Sequence, residues 1–546
     1  QIVGRTDVRV LQNSFYSATA TNVSITGGSR EIELRGNVFW TEAGYAIYVA
    51  DDSQTGFFSD YNDLFASGSG KLVHWSKDFT DLLDWQADVA QFDLHSIGAT
   101  VVNPAWATPR YQRRSTGDLA VGGFVARQRS TSPTLDASDP LLDQVSSVGV
   151  PNLLVNPGFE AGLVGWTATT TMSAGTPFVP AYFGANALLA ADTTFADAKQ
   201  TVDLVAAGFT AVQLDAGDLT VAFGGRIRSA DELEPDEGAV RLVFLDGGGQ
   251  TLAAVSPASV DESSRWTLVG ARATIPVGAR AVRFEFSATR HSGSGNDAAL
   301  DNTFVYVYPE SYAPDLGADG ATLADFNKSS PTHVSLQFPD LYVDWVRDVP
   351  HDIHWQTSDN SPETPVRIDL YQDSPDGPRF LMNLTASTDD DGAFTWIPAS
   401  SGIAYGTYGL RIQVSLVDNS TTFARSVESF TVPENTSTFF ANDGTLAGDE
   451  YTSKAGNNRA TGRLADRPKP GPAQLLRTYT LGPAQTLYVD TGDYSLYAPL
   501  VLSGGGVSGD DEGFVFTGPT SAVRTALLRQ FTPEPDTMLE LSLIHI

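Results

Sequence analysis

Asn13-Ser14-Phe15, Asn37-Val38-Phe39 and Asn62-Asp63-Leu64 begin three copies of one pattern, at spacings of 24 and 25 residues. A short apolar segment follows in each copy: Val23-Ser24-Ile25, Ile47-Tyr48-Val49 and Leu72-Val73-His74, again at 24 and 25. Two independent features with one period make a structural repeat. A unit of this length, with two or three short strands and an Asn at a fixed corner, suits one coil of a parallel β-helix. Successive coils would stack their strands roughly 4.8 Å apart with apolar side chains inward. Each corner Asn would bond to the backbone of the next coil, building a ladder along the solenoid.

The rest of the composition agrees with an all-β chain. At 546 residues it is too long for one core, and roughly 100–200 residues per domain implies three or four domains. The 50 Gly and 30 Pro punctuate short runs rich in Val, Ile, Thr, Tyr and Phe, while helical periodicity is scarce. The net charge is −31 and only six residues are Lys, so phosphate backbones repel the chain and nucleic acid is not an expected partner. Such acidity suits divalent-cation binding or a salty exterior, but a solvated surface that keeps a long β protein from associating is the preferred reading. There is no Cys, which excludes disulfides, thiolate metal sites and a Cys nucleophile. No run reaches the ~18 apolar residues of a membrane span. Gln1 is not an initiator Met and Ile2–Val10 already reads as strand, so the parent protein is expected to extend upstream.

Residues 1–106 resemble the C-terminal coils of the right-handed parallel β-helix family, which includes pectate-lyase-like enzymes and many surface proteins. That family places acidic calcium ligands and a basic proton acceptor on stacked turns. Here the period sets Asp52 beside Lys77, with Asp51, His74 and Asp78 nearby. Asp51, Asp52, Lys77 and Asp78 are therefore the weak catalytic candidates. A carboxylate stacked on an ammonium also relieves like-charge repulsion on a solvent-facing turn, and that reading is preferred. Trp75 through Ile97 resembles the last coil and cap of such proteins, with the match weakening at Thr100–Trp106. Residues 107–150 are read as cap and linker, in which Ser132–Pro140 resembles a segment that closes the solenoid mouth.

Asn152-Leu153-Leu154-Val155-Asn156-Pro157-Gly158-Phe159-Glu160 opens a second domain, and Ala299-Leu300-Asp301-Asn302-Thr303-Phe304 closes it. This pairing, over residues 151–311, resembles jelly-roll carbohydrate-binding modules and the wider galactose-binding-like sandwiches. The resemblance implies a structural calcium ion shared by Glu160 and Asp301. The other reading has both carboxylates satisfying backbone donors at the strand ends. Trp166 stands at the position of a core Trp and Trp266 in a strand, so neither is a convincing sugar platform.

A polar linker (312–333) leads to about seven short strands over 334–433, which indicates a β-sandwich. Ile353-His354-Trp355, Phe394-Thr395-Trp396 and Tyr408–Val414 resemble an Ig-like spacer module of fungal and bacterial cell-wall proteins. His351 and His354 fall on opposite faces and make no metal site. Asp389-Asp390-Asp391-Gly392 reads as a hairpin turn with positive φ at Gly392. Residues 434–546 resemble the N-terminal cap and first coils of a second β-helix. The expected order is a short strand at 439–441, a small helix near Gln474, then strands at Gln485–Val489, Leu500–Leu502 and Phe514–Gly518. Another coil is expected at Met538–Leu541, where the chain looks cut, and Ser542–Ile546 need not be native sequence.

With no self-sufficient catalytic motif, the sequence leans away from an enzyme. It suggests an exported, extracellular or cell-surface bacterial protein with a structural, adhesive or glycan-binding role, its partner a polysaccharide or surface glycan. The alternative is an extracellular polysaccharide lyase or glycoside hydrolase of the pectate-lyase-like type with accessory binding modules. Paired carboxylates at glycosidase spacing, or a calcium–carboxylate cluster beside a base on the solenoid face, would favour that alternative.

Overall fold

The computed structural model describes residues 1–98, 141, 150–309 (except 192 and 233), 334–338, 345, 347–348, 350–357, 365–374, 377–390, 392–426 and 429–432. Towards the C-terminus it describes 437–479, 481, 485–497, 514–520, 526–530 and 541–542. Thr100–Trp106, Ser132–Pro140, the 312–333 linker, Leu500–Leu502 and Met538–Glu540 lie outside the described residues. The chain is all-β in character and divides into two units. The sandwich of residues 150–309 is one; the two solenoid segments and the second sandwich make the other.

In residues 1–98 the repeat is a β-solenoid. Val23–Thr26, Tyr45–Val49 and Lys71–Trp75 stack in parallel, with Val23 over Ile47 and Ile47 over Val73. Ser14–Ser17, Val38–Thr41, Asp63–Ala66 and Ile97–Gly98 form a second parallel stack, and Thr6–Leu11, Arg30–Arg35 and Phe58–Asp60 a third. Alternate residues point inward, which buries Ile25, Ile47, Leu34, Phe39, Leu64 and Val73 in one core. The residue before each corner Asn is left-handed: Gln12 at φ 54°, Gly36 at 69° and Tyr61 at 51°. This turn aims each Asn along the stack. Asn37 Oδ1 accepts from Asn13 N at 2.9 Å, and Asn62 Oδ1 accepts from Asn37 N at 2.9 Å. Ser96 Oγ continues the series by accepting from Asn62 N at 2.8 Å. A second ladder, absent from the sequence reading, runs from Arg5 N through Ser29 Oγ, and from Ser29 N to Ser53 Oγ at 3.0 Å.

The parallel stack ends where the chain reverses. Lys77–Phe79 runs antiparallel to Lys71–Trp75, and the helix Leu82–Val89 then crosses the end of the core. Asp81 caps that helix by accepting from Leu83 N and Asp84 N at 2.8 and 3.4 Å. The fully buried Trp85 plugs the last coil and donates its indole N–H to Asp93 at 2.9 Å.

The unit of residues 150–309 is a sandwich of two five-stranded antiparallel sheets. The first and last segments of its sequence motif meet in space: Asn152 Oδ1 accepts from Val305 N and its Nδ2 donates to Thr303 O. Between the sheets lie Phe159, Phe223, Phe244, Phe284 and Phe286.

The second sandwich packs Trp355, Ile353, Ile368, Ile412 and Phe430 around Trp345. Gly392 has φ 85°, as its turn requires, yet the turn is not a hairpin. Arg379–Thr388 pairs with Val366–Gln372, whereas Ala393–Trp396 pairs with His351–Thr357 in the other sheet. The acidic turn therefore crosses between sheets, held by Asp390, which accepts the Trp355 indole N–H at 2.6 Å.

In the last segment Thr438–Ala441, Thr486–Val489 and Val515–Thr517 stack in parallel, and Pro472–Thr478 is the small helix. Leu541–Ser542 runs antiparallel to Ala526–Gln530, so this strand does not continue the parallel stacking expected of a new coil.

Candidate functional site

The period aligns Asp52 with Lys77, but the structure separates the four solenoid candidates. Because Lys77 stands on the reversed strand, its ammonium meets Asp88 of the cap helix at 2.6 Å. Asp52 accepts from Ser53 Oγ at 2.8 Å, and Asp51 from Ser76 Oγ at 2.9 Å. Asp78 alone gathers a cluster: Lys71 Nζ pairs with it, Tyr45 Oη donates at 2.9 Å, and His74 Nδ1 lies 2.7 Å away. Burial opposes the charge of Asp78, yet hydrogen bonds from Lys71, His74 and Tyr45 outweigh it and hold the carboxyl down at about 2. The His74 ring stacks on Tyr48 at 4.5 Å. This makes a half-exposed patch of one carboxylate, two basic groups and two phenols.

The corner formed by Asn156–Glu160 and Asp301–Asn302 is built differently. Asn156, Phe159 and Asn302 all have positive φ, at 53°, 58° and 45°. Left-handed backbone is readily adopted by Asn but uncommon at a bulky residue such as Phe159. The corner brings Glu160 and Asp301 to the backbone of the loop 180–186. Glu160 Oε1 accepts from Ala185 N and Asn186 N, both at 2.8 Å. Asp301 Oδ2 accepts from Phe183 N at 2.8 Å, and its Oδ1 from Asn302 N at 2.6 Å. From the other side the Trp266 indole N–H donates to Pro180 O at 2.9 Å. Gly184, at φ 72°, leaves no space for a side chain, because a Cβ there would strike the Glu160 carboxylate.

That loop presents Phe183 to solvent at 58 % exposure, with Phe178 at 49 % nearby in sequence. The Phe183 ring lies against Gly158 on one side and faces water on the other. Trp166 and Trp266 are both buried, and the exposed rings here are the two phenylalanines, which the sequence alone does not single out. Burial, and secondarily the neighbouring Glu160 charge, pushes the Asp301 carboxyl up to about 7 despite its backbone donors. The donor set is all oxygen, as a hard cation requires, but Glu160 Oε1 spends both lone pairs on Ala185 N and Asn186 N, which leaves Glu160 Oε2 and the Asp301 carboxylate as the oxygens a cation would use. Both carboxylates satisfy backbone donors of the loop.

One residue group was missed altogether. Glu232, Asp236 and Asp297 bring ligand oxygens within 4.8 Å of one another, the one such convergence of three among the described residues. The buried Asp236 accepts from His291 N and Asp297 N, each at 2.7 Å.

Residues 339–432 match the family model described as the Kre9/KNH-like N-terminal Ig-like domain. Among curated proteins none matches the chain. Solved structures that resemble it include TmCBM61 in complex with β-1,4-galactotriose, at 19 % identity and TM-score 0.21 over 29 % of this chain and 99 % of that one. The C-terminal family 22 carbohydrate-binding module of Clostridium thermocellum Xyn10B is 17 % identical, at TM-score 0.22 over 28 % of this chain and 91 % of that one. The enzymatically active domain of bacteriophage CBA120 tailspike protein 4 is 11 % identical, at TM-score 0.25, with 56 % of this chain and 44 % of that one covered.

Glu160 and Asp301 were legible because each sits in a short, distinctive motif. The phenylalanines were not, since an exposed ring on a loop carries no periodicity. Lys71 escaped because only the reversal after Trp75 brings it to Asp78, and Tyr45 and Tyr48 because only the cross-coil register sets them beside Lys71 and His74. No described helix is long and apolar enough to cross a membrane.

Proposed function

We propose that this is an exported, extracellular or surface-attached bacterial protein that binds polysaccharide through the sandwich of residues 150–309, with a structural or adhesive role. The observation that carries the reading is the loop 180–186, pinned by Glu160, Asp301 and Trp266 so that Phe183 stands out of the surface. An aromatic ring held rigid in water stacks on the C–H face of a sugar at little entropic cost. Phe183→Ala is expected to lower glycan affinity of the full chain at least tenfold on a glycan array, with its thermal unfolding unchanged. Equal binding by the variant would end the proposal.

Calcium at Glu160 and Asp301 belongs to the same reading. The ion would bridge the two carboxylates that hold the loop and would have to displace the Asp301 proton. Its affinity is therefore expected to climb as pH rises through about 7 and then level off. Without the ion the sign for stability is opposite. The raised carboxyl favours the fold fully below about pH 4, where the unfolded group titrates, and that contribution is lost as pH rises through about 7. Calorimetry at pH 5.5 and 8 checks both, and Asp301→Asn should abolish the calcium response. A calcium response independent of pH, or one retained by that variant, would place the ion elsewhere.

A second reading, a polysaccharide lyase, rests on the basic Lys71 and His74 held by Asp78 on the solenoid face. Release of unsaturated uronate from acidic polysaccharides, lost in Asp78→Ala, would favour it over binding alone.

A further inference from the structure

The cap helix Leu82–Val89 carries carboxylates at 81, 84 and 88, the spacing that puts them on one face. Three like charges side by side repel, and burial together with Asp81 and Asp88 pushes Asp84 upward. The face is covered from far along the chain. Arg459 Nη2 reaches both oxygens of Asp81 at 3.2 and 3.1 Å, and the two side chains are only 12 % and 3 % exposed. Asn458 Nδ2 donates to Asp84 at 3.1 Å and to Asp88 at 2.9 Å. Gln474 Nε2 also donates to Asp88, at 3.1 Å. Arg477 Nη2 donates to Ala87 O at 2.7 Å, a carbonyl in the helix's last turn, where the backbone has no partner of its own. Lys77, from the helix's own solenoid, and Lys469, which donates to Asn458 O at 2.6 Å, complete the charged groups facing the joint. Beside them Tyr497 enters the core of the first solenoid, with its ring 6.5 Å from Phe79.

The partners lie 370 to 390 residues apart in sequence. Burial pushes Arg477 down, and Asp81 is as buried as the core around it, so the joint carries a desolvation cost that its own hydrogen bonds and the Arg459–Asp81 ion pair offset. Because loop-closure entropy grows only with the logarithm of length, so long an excursion is tolerated.

We infer that the end of the first solenoid and the cap of the second form an end-to-end clasp, in which Asp81, Asp84 and Asp88 receive Asn458, Arg459 and Gln474 while Arg477 closes on the Ala87 carbonyl. The clasp makes the two solenoid segments one cooperative folding body despite the modules between them. It stands apart from the sugar reading and uses none of its residues.

The test is amide hydrogen exchange on the full chain carrying Arg459→Ala with Arg477→Ala, which leaves the helix and its Asp81 cap untouched. Amides in residues 82–89 are expected to exchange at least tenfold faster, those in 71–75 are expected to follow, and residues 366–372 should keep their protection as a folding control. Arg459→Lys with Arg477→Lys should restore part of the protection, since the charges remain. Unchanged exchange in 82–89 would overturn the clasp, whether or not residues 438–479 lose their own protection.

Discussion

Asn62→Ala is expected to destabilise the first solenoid by about 3–4 kcal/mol, far more than a single surface hydrogen bond is worth. Asn62 is fully buried and uses its whole amide. Its Oδ1 accepts from Asn37 N and Nδ2 at 2.9 and 3.0 Å. Its Nδ2 donates to Leu34 O, Ser59 Oγ and Asp93 Oδ1, each at 3.1 Å. Truncation leaves a buried N–H and a buried carbonyl without these partners, and such groups cost more than the bonds contributed. Native-state exchange of the strand Val38–Thr41 reads the loss directly. Asn13→Ala at the exposed start of the ladder should cost under about 1 kcal/mol. Equal effects at the two positions would show that the ladder is not what holds the coils in register.

The next residue has the opposite sign. Asp63→Val is expected to stabilise the same solenoid by on the order of 3 kcal/mol at neutral pH. Asp63 is fully buried, and neither carboxylate oxygen has a hydrogen-bond partner among the described residues. The stack itself names the replacement, since Val38 and Ile97 occupy the same position one coil before and after. Burial pushes the Asp63 carboxyl well above its ordinary value. A carboxyl raised in the folded state supports stability below the unfolded-state value of about 4, and that support is lost as pH rises toward the folded value. The wild-type solenoid should therefore weaken between acidic and neutral pH, and Asp63→Val should flatten that slope. Part of it will remain, because burial also raises Asp93 and Asp84. Exchange measured at pH 5 and 8 separates the outcomes; a variant no more stable than wild type at either pH would show that the carboxylate finds a partner in solution.

These neighbours illustrate what a repeat does and does not reveal. Asn13, Asn37 and Asn62 announce the ladder because every coil needs the same bond at the same corner, so the requirement is written at a constant spacing. Asp63 lies in the same triplet, yet nothing local distinguishes a buried aspartate from a solvated one. The Asp52–Lys77 alignment assumed that stacking continued past Trp75. It does not, because Lys77–Phe79 turns back along its neighbour and carries Lys77 to Asp88. Spacing predicts contact only while the coils remain parallel.

The sandwich divides in the same way. Glu160 and Asp301 were readable as a pair because the strands that open and close such a domain must meet, and their motifs mark those strands. That Phe183 stands exposed above them depends on three hydrogen bonds to the loop's backbone and one to a carbonyl, none of which leaves a pattern in the order of residues. The acidic turn at Asp389–Gly392 was legible as a turn, because positive φ at Gly is a local preference. Which strands it joins was not, since pairing is decided by distant partners.

By itself the amino-acid order determined the all-β class, the stacked coils of the first solenoid, the position of its corner asparagines and the residues at which the sandwich motifs begin and end. Each of these follows from local periodicity or from a backbone conformation that few residues tolerate. Tertiary structure alone decided which carboxylates are buried, which aromatic rings face water, and that the helix Leu82–Val89 with its Asp81 cap meets Asn458, Arg459, Gln474 and Arg477. The physical reason is common to all three. Desolvation and charge pairing are set by atoms from tens to hundreds of residues away, and no local preference in the chain encodes them.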